Sequence, residues 1–387
     1  MSGTKWTNEQ WDAITARDCN LLVAAAAGAG KTAVLVERIV KKVTDAKNPI
    51  DIDRLLIVTF TNAAATEMRE RIGQAISDVL EKDPGSGIIQ RQLALLGKAS
   101  IMTLHAFCTE VIRSNFQCLD IDPDFRITDE TESSLMKLEA LNELFDDQYE
   151  KENNAGFFEL LECYGGNRDD RLLTDMVLNL YDFIQSSPWP ETWLEEMTGA
   201  FELPEGTDFG QTVWGKVLLT SVKLELEGLR DMMSRAAREL ETAAGLERYA
   251  MTFHEDIVHI ESLLELADAG DWDRLFAFLQ NLEFSTLPRC GKDADKGKKE
   301  FVKKVRDDVK ARLKKIRDKI VTTDSSGIVR DFKRLLPEMK VLSGLVSDLS
   351  ERYREKKNRK SVLDFNDLEH FCLQILTRRD DDGTVKP

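Results

Sequence analysis

The chain has 387 residues, of which 42% are hydrophobic and 32% charged, and its formal net charge is −16. That charge excludes a protein that coats nucleic acid by bulk positive charge, although a local groove remains possible. No apolar run is long enough to cross a bilayer, and the six cysteines form no C-x-x-C pair. A membrane protein or membrane partner, a disulfide framework and a zinc site are therefore disfavoured, and we expect a cytoplasmic protein of two or three domains.

The first predicted element is a strand that leads through a small-residue turn into a helix. The apolar run CNLLVAA at 19–25 predicts a buried parallel strand. Helical spacing of the apolar residues in KTAVLVERIVKKV predicts a helix over 31–43. The turn between them lies in AAAAGAGKTAV, residues 24–34. A strand, a glycine-containing turn and a helix in this order are typical of a phosphate-binding loop.

The residues of this turn suit the phosphates of a nucleotide. Gly28 and Gly30 let the backbone approach an anion, and the helix N-terminus adds partial positive charge. Lys31 can reach the β- and γ-phosphates, and Thr32 can place its hydroxyl on Mg²⁺. Ala25 stands where strict spacing has a glycine. The alternative is an alanine-rich turn that leads into a core helix.

Two more strand–helix units follow. LLIVTF at 55–60 predicts a buried strand, and the residues over 62–80 predict the helix after it. ASIMTLH at 99–105 predicts a third strand, followed by a helix over 106–116. Such alternation implies a parallel sheet with right-handed crossovers, and ligands bind such a sheet at the carboxyl ends of its strands.

Long helical periodicities replace this alternation from about residue 125 to 360. They predict an all-helical domain inserted into an α/β domain. Within it, residues 292–319 contain thirteen Lys or Arg against six Asp or Glu, in the pattern of a basic amphipathic helix. A solvated face is the usual interpretation of such a run, and contact with DNA is the alternative that stays open.

Five segments carry a resemblance to a known family. They are WTNEQWDAI (6–14), AAAAGAGKT (24–32), LLIVTFTNAAATEMRERI (55–72), IMTLHAFCTEVIR (101–113) and SVLDFNDLE (361–369). They stand in the order seen in UvrD/Rep-type superfamily 1 DNA helicases, and the chain resembles this family over its whole length. The first four motifs are specific when they occur together.

The resemblance implies a fold and a domain organisation. The fold is an α/β P-loop NTPase with a RecA-like parallel sheet core and a large all-helical insertion. Residues 1–120 would be the N-terminal part of motor domain 1A, which carries the P-loop. Residues 121–360 would be the helical insertion, similar to domain 1B. Residues 361–387 would return to motor domain 1A and end before the acidic Walker B motif, so the sequence resembles an N-terminal fragment.

The resemblance also implies the site residues. The nucleotide would be bound by Gln10 as the adenine reader and by the loop residues Ala25, Ala26, Ala27, Gly28, Ala29, Gly30, Lys31 and Thr32. Lys31 and Thr32 would act in catalysis, with Thr32 as a ligand of Mg²⁺. Single-stranded DNA would be contacted by Thr59, Phe60, Thr61, Asn62, Thr103, Leu104, His105 and Phe107. Ala63 and Ala106 depart from the residues common in the family and would each remove one contact.

The implied activity is that of an ATP-dependent DNA helicase with an associated exonuclease, acting in double-strand break repair and recombination. Its cofactors would be ATP and Mg²⁺, and its partners single-stranded DNA, duplex ends and a second nuclease/helicase subunit in a heterodimer. This stretch alone is expected to be inactive, because it lacks the acidic motif and the second motor domain. Two alternatives remain: another P-loop enzyme, such as a kinase or GTPase, and an acidic helical protein-interaction scaffold with a vestigial P-loop.

Overall fold

The computed structural model describes residues 6–26, 28–119, 121–164, 169–291, 294–379 and 385–386. Ala27 of the predicted phosphate loop and the acidic run at 380–382 therefore lie outside the described residues. The described chain is mostly helical with small sheets. It divides into a first unit, residues 1–138 with 353–387, and a helical unit, residues 139–352.

The elements follow one another in a simple order. The chain begins with α1 (Asn8–Thr15), α2 (Lys31–Val43), β1 (Leu56–Thr59), α3 (Asn62–Lys82), α4 (Gly87–Leu95), β2 (Ser100–Thr103), α5 (Leu104–Ser114) and β3 (Arg126–Ile127). Helices follow: α6 (Glu130–Glu150), α7 (Ala155–Tyr164), α8 (Arg171–Ile184), α9 (Pro190–Gly199), α10 (Val213–Glu241), α11 (Glu247–Ala269), α12 (Trp272–Gln280), α13 (Lys296–Lys319) and α14 (Ser325–Arg359). The last elements are β4 (Val362–Leu363), α15 (Phe365–Leu376), β5 (Arg378–Arg379) and β6 (Val385–Lys386).

The strands β1 and β2 form a parallel pair at the centre of one core of the first unit. Their register runs from Leu56 opposite Ser100 to Thr59 opposite Thr103. Ile57 of β1 is buried with side chains of α2 and α3 in a single apolar cluster. The strands predicted at 55–60 and 99–105 are confirmed, as are the helices predicted after them. β1 is not buried as predicted, because Leu56 and Val58 on one of its faces are exposed.

The strand predicted at 19–25 is wrong. These residues form no strand, and Leu22 is 94% exposed. An apolar run becomes a parallel strand only when neighbouring strands pair with it and helices cover both faces. Within the described part of the first unit, β1 pairs with β2 and not with this run. A parallel sheet of three or more strands was expected, but in the described residues this sheet has two strands.

A second core of the first unit joins α5 to the end of the chain. β3 and β4 pair in parallel, with Arg126 opposite Val362. Cys108 and Ile112 of α5 pack against Leu368 and Cys372 of α15. The segment at 361–376 is thereby held beside the helix that follows β2.

The helical unit is built on α10, α11, α12 and α13, which share one apolar cluster. Leu226 of α10, Phe253 of α11 and Leu313 of α13 are among its buried members. The described residues between Glu130 and Arg359 contain no strand, which confirms the predicted change to helical structure. Among the described residues, no helix is both long enough and apolar enough to cross a bilayer.

Candidate nucleotide and DNA site

The glycine-rich turn leads directly into α2, and no side chain caps the N-terminus of that helix. Gly30 precedes α2 with a φ of 77°, and Gly28 has a φ of 80°. Both values lie in the left-handed region that glycine adopts at little cost. The first backbone N–H groups of a helix have no partner inside it, so those of α2 are available to an anion.

Lys31 reaches back over the turn with its ammonium group. Its Nζ donates hydrogen bonds to the carbonyl oxygens of Ala25, at 2.6 Å, and Ala26, at 3.1 Å. An ammonium has three N–H donors, so one stays available for a phosphate oxygen. Thr32 lies in the first turn of α2 and is exposed. The turn therefore has the donors and the open backbone that phosphates require.

Gln10 lies against the same turn, although it is far from it in sequence. Its Nε2 donates to the carbonyl oxygen of Ala29 at 3.2 Å, and its Oε1 accepts from the Thr7 N–H at 3.0 Å in a capping box of α1. A carboxamide has two N–H donors and two acceptor lone pairs. One donor and one lone pair are left for the edge of a base, and the adenine-reading role of Gln10 stays a prediction.

The first predicted DNA-contacting segment continues directly from β1. Thr59 lies opposite Thr103 in the parallel register, so the two predicted segments begin side by side at the carboxyl ends of the strands. The Phe60 side chain is fully exposed. Thr61 caps α3 with its hydroxyl, and Asn62 is the exposed first residue of that helix. Phe60 is thus placed where an aromatic ring can stack on a base.

The second predicted segment is more engaged in internal contacts. Thr103 caps α5 with its hydroxyl, and Leu104 after it is partly exposed. His105 Nε2 lies 3.2 Å from Oε1 of Glu369 in α15. Phe107 packs against the apolar cluster between α5 and α15. His105 and Phe107 therefore have the packing contacts expected from the alternative to DNA binding, in which they are ordinary strand-end residues.

Asp364 and Asp367 are bound to a buried lysine, Lys357, that the sequence pattern does not single out. Lys357 Nζ lies 3.0 Å from Oδ2 of Asp364, and 2.6 and 2.5 Å from Oδ1 and Oδ2 of Asp367. The Tyr353 hydroxyl donates to Oδ2 of Asp364 at 3.0 Å, and the two aspartates form the capping box of α15. Both carboxylates are thus committed to this cap. The signal in the sequence is faint, because Lys357 is one of several lysines at the end of α14.

Burial and Lys357 set the charges of this pair. Burial acts to raise the pKa of Asp364, but the Lys357 ammonium and the hydrogen bonds to the carboxylate outweigh it and hold that pKa below its usual value. Burial raises the pKa of Asp367 above its usual value, with Lys357 acting in the opposite direction.

The described residues offer few protein ligands for a metal ion. Among them, no group of three or more His, Cys, Asp or Glu side chains is arranged to hold one. The exposed hydroxyl of Thr32 fits a single Mg²⁺ ligand, and phosphate oxygens and water would supply the rest of an octahedral shell.

The fold, the uncapped glycine turn and the two strand-end segments define a class of protein. Residues 6–385 match the family model described as the UvrD/REP helicase N-terminal domain, and the chain belongs to this family.

Its relatives in that class have one name in common. The chain is 66% identical to the AddA subunit of the ATP-dependent helicase/nuclease of Acetivibrio thermocellus, over 99% of its length. It is 56% identical to the protein of that name from Ruminiclostridium cellulolyticum, over 100% of its length, and 47% identical to the one from Clostridium acetobutylicum, over 99%. In each case it covers 31% of the relative, so the chain spans about a third of the length of these proteins.

Proposed function

We propose that this chain is the ATP-binding and single-stranded-DNA-binding N-terminal part of an ATP-dependent DNA helicase/nuclease subunit that acts in double-strand break repair and recombination. The observation that carries the proposal is the uncapped, glycine-flanked N-terminus of α2 with Lys31 over the turn, in a chain that belongs to a helicase family. The whole protein would work on duplex ends with a second, AddB-like nuclease/helicase subunit in a heterodimer, in the cytoplasm.

The proposed fold is a RecA-like P-loop core with a helical insertion. Residues 1–120 would form the N-terminal part of motor domain 1A, residues 121–360 the insertion, and residues 361–387 the return to the motor domain. The parallel pair β1–β2 and the change to helices after β3 support this proposal. In such a core, phosphates and nucleic acid are bound at the carboxyl ends of the strands.

Each residue of the turn has a role that its contacts support. The N–H groups of Lys31 and Thr32 would bind the β-phosphate, and the Lys31 ammonium would exchange a loop carbonyl for a γ-phosphate oxygen. The Thr32 hydroxyl would hold Mg²⁺, and Gln10 would place the adenine. Mg²⁺ with ATP supplies the phosphoryl group and charge neutralisation when bound. The protein's own part in this stretch is to bind and orient.

Phe60 and the strand-end threonines would hold single-stranded DNA. A ring that is fully exposed at the end of β1 contributes nothing to the core, so a stacking role accounts for an otherwise costly apolar exposure. Thr59, Thr61 and Asn62 offer hydroxyl and amide groups for phosphate oxygens, which position a strand without reading its sequence. Thr103, Leu104, His105 and Phe107 would contact the strand through their exposed atoms or support those that do.

A titration with a fluorescent ATP analogue tests the proposal. Lys31→Ala removes a charged hydrogen-bond donor worth about 1.5–3 kcal/mol, which corresponds to a loss of affinity of roughly ten- to a hundredfold. Lys42→Ala on the same helix removes an equal charge near its other end and is the matched control. Equal affinity of wild type and Lys31→Ala would refute nucleotide binding at this turn and favour the scaffold with a vestigial P-loop.

A further inference from the structure

One flank of α13 carries a row of lysines that the strand-end site does not use. Lys296, Lys303, Lys310 and Lys314, called the basic stripe below, recur at intervals of seven, seven and four residues. At 3.6 residues per turn these positions fall on one side of the helix, beside its buried face, and span about 27 Å along the axis. Asp256 and Asp307 interact with Lys310. Asp318 interacts with Lys314, so these carboxylates offset part of the positive charge.

The lysines of the basic stripe make no ion pair with any residue that the structure describes, although nearby carboxylates offset part of their charge. Lys296, Lys303 and Lys314 are exposed. Other cations of the helix are paired: Lys298 lies 3.1 Å from Glu239, and Arg312 lies 3.2 Å from Glu225. In a chain of net charge −16, a row of four lysines that makes no ion pair with described residues is a local exception.

A small apolar cavity opens between the cations at the far end of the stripe. Its volume is about 200 Å³, its apolar lining includes Leu279, Leu282 and Phe284, and Lys310, Lys314 and Arg317 also line it. Lys310 Nζ lies 4.8 Å from the centre of the Phe284 ring. Burial is the main cause that lowers the pKa of Lys310, and the positive charge of nearby Arg306 is the second. An anion bound beside Lys310 would therefore stabilise its charged form.

We propose that the basic stripe of α13 binds the phosphodiester backbone of single-stranded nucleic acid, with one base inserted beside Phe284. An extended polyanion can contact a long row of cations, whereas a compact anion contacts only one or two of them. The cavity is smaller than a pocket for a drug-sized ligand and suits one unstacked base. A positively charged track with an aromatic platform is the usual arrangement for binding single strands without sequence preference. The inference rests on the proposed function for its ligand and adds a surface distinct from the strand-end site.

The test uses the full chain, a fluorescein-labelled oligothymidylate and a salt series. The stripe variant is Lys303→Gln with Lys310→Gln and Lys314→Gln. The matched control carries the same charge change on the other flank of α13, at three exposed lysines that make no ion pair with described residues: Lys304→Gln, Lys315→Gln and Lys319→Gln.

The stripe variant should bind at least tenfold more weakly than the control. Its slope of log affinity against log salt should be shallower by about 2, because each phosphate contact on a single strand contributes about 0.7. Phe284→Leu should weaken single-strand binding on the order of tenfold, leave the salt slope unchanged and not affect a hairpin duplex. Three results would overturn the inference. The stripe and control variants could lose affinity equally, or polyglutamate could bind to the stripe as tightly as the oligonucleotide does. Binding of the duplex could also depend on Phe284.

A Phe60→Ala variant separates this inference from the proposed function. If wild type binds the oligonucleotide and Phe60→Ala weakens it while the stripe variant equals its control, the stripe inference fails and the strand-end site stands. If wild type does not bind the oligonucleotide, both fail.

Discussion

Replacing Lys357 by methionine should destabilise the first unit more than any comparable change of a surface lysine. Lys357 is 4% exposed, and its ammonium makes close contacts with three carboxylate oxygens of Asp364 and Asp367. Methionine fills much of the same volume but removes the charge. Two adjacent carboxylates would then be left in a buried capping box without a cation.

The expected loss follows from these contacts. Charge-assisted hydrogen bonds contribute about 1.5–3 kcal/mol each, but one carboxyl can take up a proton and recover part of the loss. Breaking a buried ion pair by removing one partner costs about 3–5 kcal/mol, and we expect a value in this range for Lys357→Met. Lys360→Met, which removes an exposed lysine, should change stability by about 0.5 kcal/mol or less.

The effect should depend on pH with a definite sign. Without Lys357, desolvation and mutual repulsion raise the pKa of at least one of the two carboxyls above its value in the unfolded chain, which is about 3.9. A group whose pKa is raised by folding stabilises the folded state below the unfolded pKa, and that contribution is lost as pH rises through the folded pKa. The difference in stability between wild type and Lys357→Met should therefore grow from about pH 4 to about pH 7.

Hydrogen exchange of the α15 amides measures this locally, without requiring the whole chain to unfold in one step. A loss of about 3–5 kcal/mol corresponds to exchange on the order of a hundredfold to a few thousandfold faster. Adding Asp367→Asn to Lys357→Met should restore part of the protection, because one buried charge is removed. Exchange equal to that of Lys360→Met, or a loss that shrinks as pH rises, would refute the assignment of this network as a stabilising one.

Three further outcomes are expected. Arg306→Met should lower the free energy of unfolding of the helical unit by about 3–5 kcal/mol, because it leaves Asp256 buried without its partner. Urea unfolding measures this loss, and a double variant that removes the charges of both Arg306 and Asp256 serves as the reference. Phe60→Ala should lower the affinity for single-stranded DNA on the order of tenfold without changing the melting temperature, because its ring is exposed. Phe107→Ala should lower the melting temperature, because its ring packs in the core. If binding and melting assays gave the opposite pattern, Phe107 would be the DNA contact and Phe60 the packing residue. Phosphate release from ATP should stay at background with saturating oligonucleotide, in wild type and in Lys31→Ala alike, because the carboxylates of Asp364 and Asp367 are engaged by Lys357 in the cap of α15 and are not available to activate water. DNA-stimulated turnover that Lys31→Ala abolishes would contradict this.

Local patterns in the sequence were sufficient for the elements that carry the candidate site. The apolar periodicity of 31–43 and the glycine before it predicted α2 with its observed bounds, because helical hydrogen bonds form within one segment. The strands at 55–60 and 99–105 could be predicted because each is a short apolar run that is followed directly by a helical pattern. The left-handed backbone at Gly28 and Gly30 was predictable because glycine adopts that conformation at little cost.

Tertiary structure decided what depends on residues distant in sequence. The run at 19–25 has the composition of a strand but no partner among the described residues, and pairing is a property of two segments. The same holds for the contact of His105 with Glu369 and for the capture of Asp364 and Asp367 by Lys357. The sequence by itself therefore determined the helices, two strands, the glycine turn before α2 and the family. Only the fold decided which charged groups are free for ligands, because burial and partners come from packing between elements rather than from the order of residues within them.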